Sequence, residues 1–391
     1  MQRKTYALID GDQICKNVKN IINNYPDYRY YFGVVKNNSY HHGIKTVIDM
    51  ERGGINYFAV SSLEEALETR KYTKKPILCL EVIPIEFIDD VINNDITITI
   101  DSLNYVKELI NGDIYDKLKV HLAIDSGMRR LGFWESKSLK EAYLLLKDEK
   151  NIIIEGVYSH FATSGVMDPY YERQVEAFLD ITKSIPLKSI PIVHMGRSLS
   201  LVNHPKLSFC NGIRLGIVMY GFSQSREVDN SLKGKIRGMK MRQLQKKYGI
   251  KDVTLQNDLD VLPAMKLYTS VMSERKVSAG DVVGYCTKKV EEDGYILTLP
   301  IGYADGVDVR FKNVSINGKL YPILADCMDM LMVFTKDYIE VGTEVEVFGD
   351  NISIKDVCRN LGINAYHLFQ MISSRILKVH VSKGEKEEIR Y

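Results

Sequence analysis

The residues with the clearest chemical potential sit at the ends of apolar runs. The run Phe32-Gly33-Val34-Val35 ends on Lys36, and a polar turn follows through Tyr40 to Gly43. At the C-terminal end of a buried strand, burial would lower an amine's pKa and free its lone pair for Schiff-base chemistry. A lone lysine there reads equally well as a stem that snorkels to water. Its company decides: Asp125, His160, His194 and Arg214 recur at the ends of further apolar runs.

Those runs fall at 32–36, 57–61, 77–81, 96–100, 119–124, 153–159, 190–194 and 212–220. Helix-like stretches separate them, among them Ser62-Leu63-Glu64-Glu65-Ala66-Leu67, which opens with a capping-box pattern. Before the first run, Tyr6–Asp10 reads as a strand, and Ile14, Val18, Ile21 and Ile22 mark one face of a helix. Eight runs alternating with helices predict an α/β fold, a parallel eight-stranded (β/α)8 barrel, over 1–225. A doubly wound open sheet is the competing fold. The polar residues at strand ends favour the barrel, whose C-terminal face carries the chemistry.

The chain has 391 residues, 45% hydrophobic and 26% charged, the profile of a globular protein with room for a barrel and a smaller unit. A net charge of +2 argues against nucleic acid or an anionic membrane as partner. No secretory leader or membrane span is expected. The six cysteines are scattered without CxxC spacing, which points to a reduced, cytoplasmic compartment. Between Lys233 and Lys247 lie seven basic residues and no acid. The segment 226–262 therefore reads as a charged insertion or connector, with an anion or partner surface as the alternative.

From 263 to 391 the pattern is mainly β. Asn317-Gly318 between two short alternating runs predicts a hairpin. Residues 355–361 predict a helix with Ser353 as its N-cap.

Several stretches, in this order, resemble the alanine racemase family of pyridoxal-phosphate enzymes. They are Val35-Lys36 with Tyr40 and Gly43, Asp125-Ser126-Gly127-Met128-Arg129-Arg130-Leu131-Gly132-Phe133, and Ser159-His160-Phe161-Ala162-Thr163. Then follow Arg214-Leu215-Gly216-Ile217 with Tyr220-Gly221, Leu299-Pro300-Ile301-Gly302-Tyr303-Ala304-Asp305-Gly306, and Cys327-Met328-Asp329. The resemblance implies a barrel followed by a β domain, pyridoxal 5'-phosphate as cofactor, and racemisation of a small amino acid by two bases. Lys36 would carry the cofactor and serve as one base. Tyr303, supplied by the partner of a head-to-tail homodimer, would be the other. A phenol's ordinary pKa of about 10 means that neighbours must assist it near neutral pH.

By the same resemblance His160 links Tyr303 to Arg214, and Arg214 faces the cofactor's pyridine nitrogen. Because a guanidinium only donates, that nitrogen must accept and stay unprotonated. Tyr40, Ser198, Tyr366 and the amides of Gly216 and Ile217 would hold the phosphate, with Tyr366 also narrowing the entrance. Arg130 would grip the substrate carboxylate or the cofactor's phenolic oxygen, and Met328 would reach in from the partner.

Departures from the family pattern surround this set. Ala123 stands where a lysine is common, Arg197 replaces an asparagine before Ser198, and Asn37 and His41 replace an alanine and a glycine. Arg197 is expected to add a charge-assisted contact to the phosphate. Alanine is the expected substrate, with a serine-specific or broad-specificity racemase as the alternative. A decarboxylase or a non-catalytic cofactor-binding relative ranks lower, since a decarboxylase would carry an acid where Arg214 stands.

Overall fold

The computed structural model describes residues 3–112, 114–163, 169–222, 259–285 and 288–389, together with positions 232, 236, 239 and 243. The basic stretch 233–247 falls almost wholly outside the described residues. The chain forms two compact units, one of residues 15–39 and 50–261, the other of residues 1–14, 40–49 and 262–391.

The first unit is a closed parallel barrel of β2 (Tyr30–Val34), β3 (Tyr57–Val60), β4 (Ile77–Cys79), β5 (Ile96–Ile100), β6 (Leu118–Ala123), β7 (Ile152–Tyr158), β8 (Ile192–Arg197) and β9 (Gly212–Leu215). Closure comes from β9 pairing with β2, Phe32 opposite Arg214. Each strand matches one of the eight apolar runs. Strands β3 and β5 are buried at every position, as expected where a parallel sheet is covered on both faces.

The interior also holds polar residues, and one glycine makes room for them. A Cβ on Gly156 would fall 2.4 Å from the His121 ring, so the glycine lets that imidazole stand inside the barrel. Ser62 caps the helix Leu63–Arg70 by accepting from the Glu65 amide.

The second unit is built on a ten-stranded sheet that contains β1 (Tyr6–Asp10). Strand β1 runs antiparallel to Met265–Ser270 and parallel to Leu377–Ser382. The opening residues thus group with the C-terminal β unit rather than with the barrel expected over 1–225. Their alternating burial is the reason: β1 has one face in a core and one half-open, unlike the barrel strands. The Asn317-Gly318 hairpin forms, with both residues at positive φ and Ile316 opposite Lys319. Ser353 caps the helix Ile354–Leu361. Among the described residues no helix is long and apolar enough to cross a membrane.

Gly156→Ala should crowd His121 and destabilise the barrel by about 1–3 kcal/mol, the usual cost of overpacking. A thermal unfolding scan beside the wild type measures it.

Candidate active site

Lys36 follows β2 and opens an unusual turn. Asn37, Asn38, Ser39, Tyr40 and His41 all have φ between 50° and 69°, a left-handed helical turn without a single glycine. L-residues resist this conformation by about 1–2 kcal/mol each, asparagine least. One carboxylate pins the turn. Glu65 Oε1 accepts the Asn37 amide at 2.5 Å while its Oε2 accepts the Ser61 amide at 2.8 Å. The acid of the predicted capping box is thus spent on holding the lysine's loop. The Ser39 amide donates to the Val35 carbonyl at 2.8 Å. Backbone strain of this kind concentrates at functional sites.

On the strand paired with β2, β9 presents Arg214, only 3% exposed. Its Nη2 donates to the carbonyls of Ser159 at 2.7 Å and Met195 at 3.1 Å, and lies 3.3 Å from His160 Nδ1. Its Nη1 donates to His194 Nδ1 at 2.5 Å. Among the described residues Nε makes no hydrogen bond, which leaves one donor for a ligand. Burial, followed by the charges of Arg214, Arg197, Arg130 and Lys36, pushes His160 down to about 2. His160 is therefore a neutral imidazole throughout the physiological range. Burial lowers Arg214 to about 10, so it remains a cation there.

Ser198 Oγ accepts the Gly216 amide at 3.0 Å, joining the start of the helix Ser198–Asn203 to the turn after β9. Ile217 opens the next helical turn, where leading amides lack intrahelical acceptors and suit an anion. The Ser198 hydroxyl, the Ile217 amide, the uncommitted Nε of Arg214 and the amine of Lys36 fit pyridoxal phosphate as a group: an anion, an acceptor nitrogen and an aldehyde.

Arg197 commits one of its donors to the loop after β7: Nη2 gives to the Thr163 carbonyl at 2.9 Å. Arg130 lies on the exposed turn after β6, and its charge acts on Tyr158, His160 and Arg214. That turn is shaped by Asp125, which accepts the amides of Gly127 and Arg129 at 2.9 Å each. Buried Gln174 ties it to the loop after β7, donating to the His160 carbonyl at 3.1 Å and accepting the Ala162 amide at 2.8 Å.

In the β unit the rings of Tyr40 and Tyr366 meet at 5.6 Å. Tyr303 and Met328 are 51% and 55% exposed, and the Ala304 amide donates to the Met328 carbonyl at 2.9 Å. A Cβ on Gly302 would fall 2.3 Å from the Cys327 carbonyl, which explains the glycine before Tyr303. Beneath Tyr303 the fully buried Asp305 accepts from Arg3 Nη1 at 2.9 Å, Arg375 Nε at 2.7 Å and the Gly302 amide at 2.9 Å. Sequence reasoning passed over Asp305, Arg3 and Arg375 as participants. The charged pair Asp305 and Arg375, seventy residues apart, offered no local pattern to find them by.

Comparison with known proteins gives the family. The family models described as alanine racemase N-terminal domain and C-terminal domain match residues 9–224 and 264–380. An alanine racemase of Clostridium acetobutylicum is 32% identical over 99% of this chain and 98% of its own. The solved alanine racemase of Bacillus anthracis superposes with a TM-score of 0.83 at 29% identity, covering 100% of this chain and 98% of that one. That of E. faecalis gives a TM-score of 0.84 at 28% identity, covering 97% and 99%. The fold is that of an amino-acid racemase. The chain belongs to the alanine racemase family.

Asp305 sets a pH dependence. Burial alone would raise its carboxyl, but the hydrogen bonds from Arg375, Arg3 and Gly302 outweigh that and hold it below its ordinary 3.8. Its stabilisation is therefore complete above the unfolded value and is lost as pH falls through the lower folded one. Asp305→Asn should destabilise by about 1.5–3 kcal/mol at neutral pH, the range for hydrogen bonds to charged groups. It should also flatten the acid loss of stability below about pH 4. Urea unfolding at neutral and acid pH tests both.

Proposed function

We propose that this protein interconverts L- and D-alanine with pyridoxal 5'-phosphate, using Lys36 of one subunit and Tyr303 of a second copy as the two bases. The observation that carries the reading is Arg214, a buried cation whose partners leave one donor over beside neutral His160. Bound at the barrel mouth, pyridoxal phosphate supplies the electron sink that acidifies the substrate's Cα proton. Lys36 would hold the cofactor's aldehyde carbon until the substrate's amine displaces it, and its freed amine would then remove or return the Cα proton on one face. The phenol of Tyr303 serves the opposite face. Arg214 would offer its remaining donor to the ring nitrogen and, since a guanidinium only donates, would leave that nitrogen unprotonated. That keeps the sink weak and favours return of the proton to Cα over transamination. Ser198, Tyr40, Tyr366 and the amides of Gly216 and Ile217 bind the phosphate. Arg130 orients the substrate carboxylate.

The exposure of Tyr303 and Met328 on the β unit supports a head-to-tail homodimer in which they complete the partner's site. The five described cysteines, all free thiols, support a cytoplasmic setting. The tilted Tyr40–Tyr366 pair supports a narrow entrance and a small substrate. A pocket discriminates one small group by only about 1–3 kcal/mol, so serine should be a slow substrate rather than an excluded one.

In heavy water, L-alanine should gain deuterium at Cα as D-alanine forms. Amine with carbon dioxide would mean decarboxylation, and no exchange would mean a binding protein. Lys36→Ala should lose racemisation altogether. Tyr303→Phe should lose about 10²–10⁴-fold on the enantiomer whose proton it takes. Mixing and re-forming the two variants should restore activity, up to about a quarter of wild type for random pairing in a two-fold dimer. No recovery would place both bases on one chain.

Tyr366→Asn should widen the entrance and raise serine turnover relative to alanine. An unchanged ratio in a substrate panel would remove Tyr366 as the selector.

A further inference from the structure

Beyond Arg214, one line of side chains inside the barrel has no part in the roles above. From Arg214 Nη1 it runs to His194 Nδ1 at 2.5 Å, from His194 Nε2 to His121 Nδ1 at 3.1 Å, and from His121 Nε2 to Glu155 Oε2 at 3.2 Å. The Tyr57 hydroxyl donates to the same carboxylate oxygen at 2.6 Å. Both imidazoles are fully buried, while the Glu155 side chain keeps 19% exposure. Tyr57 is the first residue of β3, so the line begins at the catalytic mouth and ends near the opposite, N-terminal end of the barrel.

Counting protons along this line leaves one arrangement. The guanidinium only donates, so His194 Nδ1 must be bare and its proton must sit on Nε2. That N–H faces His121 Nδ1, which must be bare in turn. The His121 proton then sits on Nε2 and is given to the carboxylate. The reverse tautomers would set N–H against N–H at Arg214. Burial and the Arg214 charge hold both rings neutral, well below the usual histidine range for His194. Burial would raise Glu155, but hydrogen bonds from His121 and Tyr57, with the charge of Lys119, hold it below the ordinary value. The His194 ring is also stacked between Phe32 and Tyr158, at 4.5 and 5.0 Å, so packing resists a ring flip.

We propose that Glu155 is a remote positioning residue: through the Nε2–H tautomers of His121 and His194 it fixes the plane of the Arg214 guanidinium and so the direction of its remaining donor. The link to turnover rests on the racemase reading of Arg214, whereas the tautomers themselves do not.

The experiment uses the full-length protein with ¹⁵N-labelled histidine, eight residues in all. Long-range proton–nitrogen spectra should show His121 and His194 protonated on Nε2 alone. A proton on Nδ1 of either ring in the wild type overturns the proposal, whatever the variants do. Glu155→Gln keeps a carbonyl acceptor and should keep both tautomers. Glu155→Met removes it, and His121 should then populate the Nδ1–H form. In enzyme loaded with pyridoxal phosphate, Glu155→Met should lower kcat by about ten- to a hundredfold, the range for losing the outer partner of a positioned imidazole. KM for alanine should hardly move, since the lost term acts on the reacting centre rather than on ground-state binding. Glu155→Gln should recover most of the rate. Tautomers unchanged in Glu155→Met, or changed tautomers with an unchanged kcat, would each refute the positioning role. If the wild type fails to racemise any amino acid, the functional reading fails while the tautomer result still stands.

Discussion

The constraint on which the barrel mouth depends is the burial of one positive charge without a carboxylate beside it. Taking a guanidinium out of water costs several kcal/mol even after the protein relaxes. Arg214 is compensated instead by dipoles: carbonyls from the ends of β7 and β8, and the bare nitrogen of His194. Much else follows from this choice. A second cation beside it is unfavourable, so His160 and His194 are neutral and available as acceptors. A counter-ion in direct contact would absorb the donors that a ligand needs. The balancing carboxylate stands at the far end of the line, behind two imidazoles.

The lysine side of the mouth uses strain where the arginine side uses burial. Five residues in the left-handed region oppose their own preference, and the two asparagines lower the cost without removing it. The turn persists because Glu65 collects two amides from different loops. A residue that sequence patterns assign to helix capping thereby sets where Lys36 leaves the backbone.

What the sequence disclosed divides along physical lines. The eight barrel strands were legible because parallel strands covered on both faces read as unbroken apolar runs. The Asn317-Gly318 hairpin and the Ser62 and Ser353 caps were legible because they are local. Lys36, Arg214 and His160 stood out at strand ends. His121 and Glu155 did not, because they lie thirty-four residues apart and only the pairing of β6 with β7 and β7 with β8 brings them into line with His194. Gly156, next to Glu155, was the available clue, an interior glycine in an apolar strand. Strand β1 was recognised as a strand but not as a member of the second sheet. Its alternation shows that one face is buried without saying against what.

That placement of β1 bears on how the chain is made. Residues 6–10 leave the ribosome long before their partners, residues 265–270 and 377–382. At about 5–20 residues per second, roughly 20–70 s separate the first strand from its parallel neighbour. The barrel's own strands end at Leu215, so all of them emerge well before the β unit is complete. During that interval β1 carries unpaired backbone groups and an apolar face, the two properties that invite pairing between nascent chains. Only the arrival of residues 265–270 and 377–382 can close the β unit's sheet around β1.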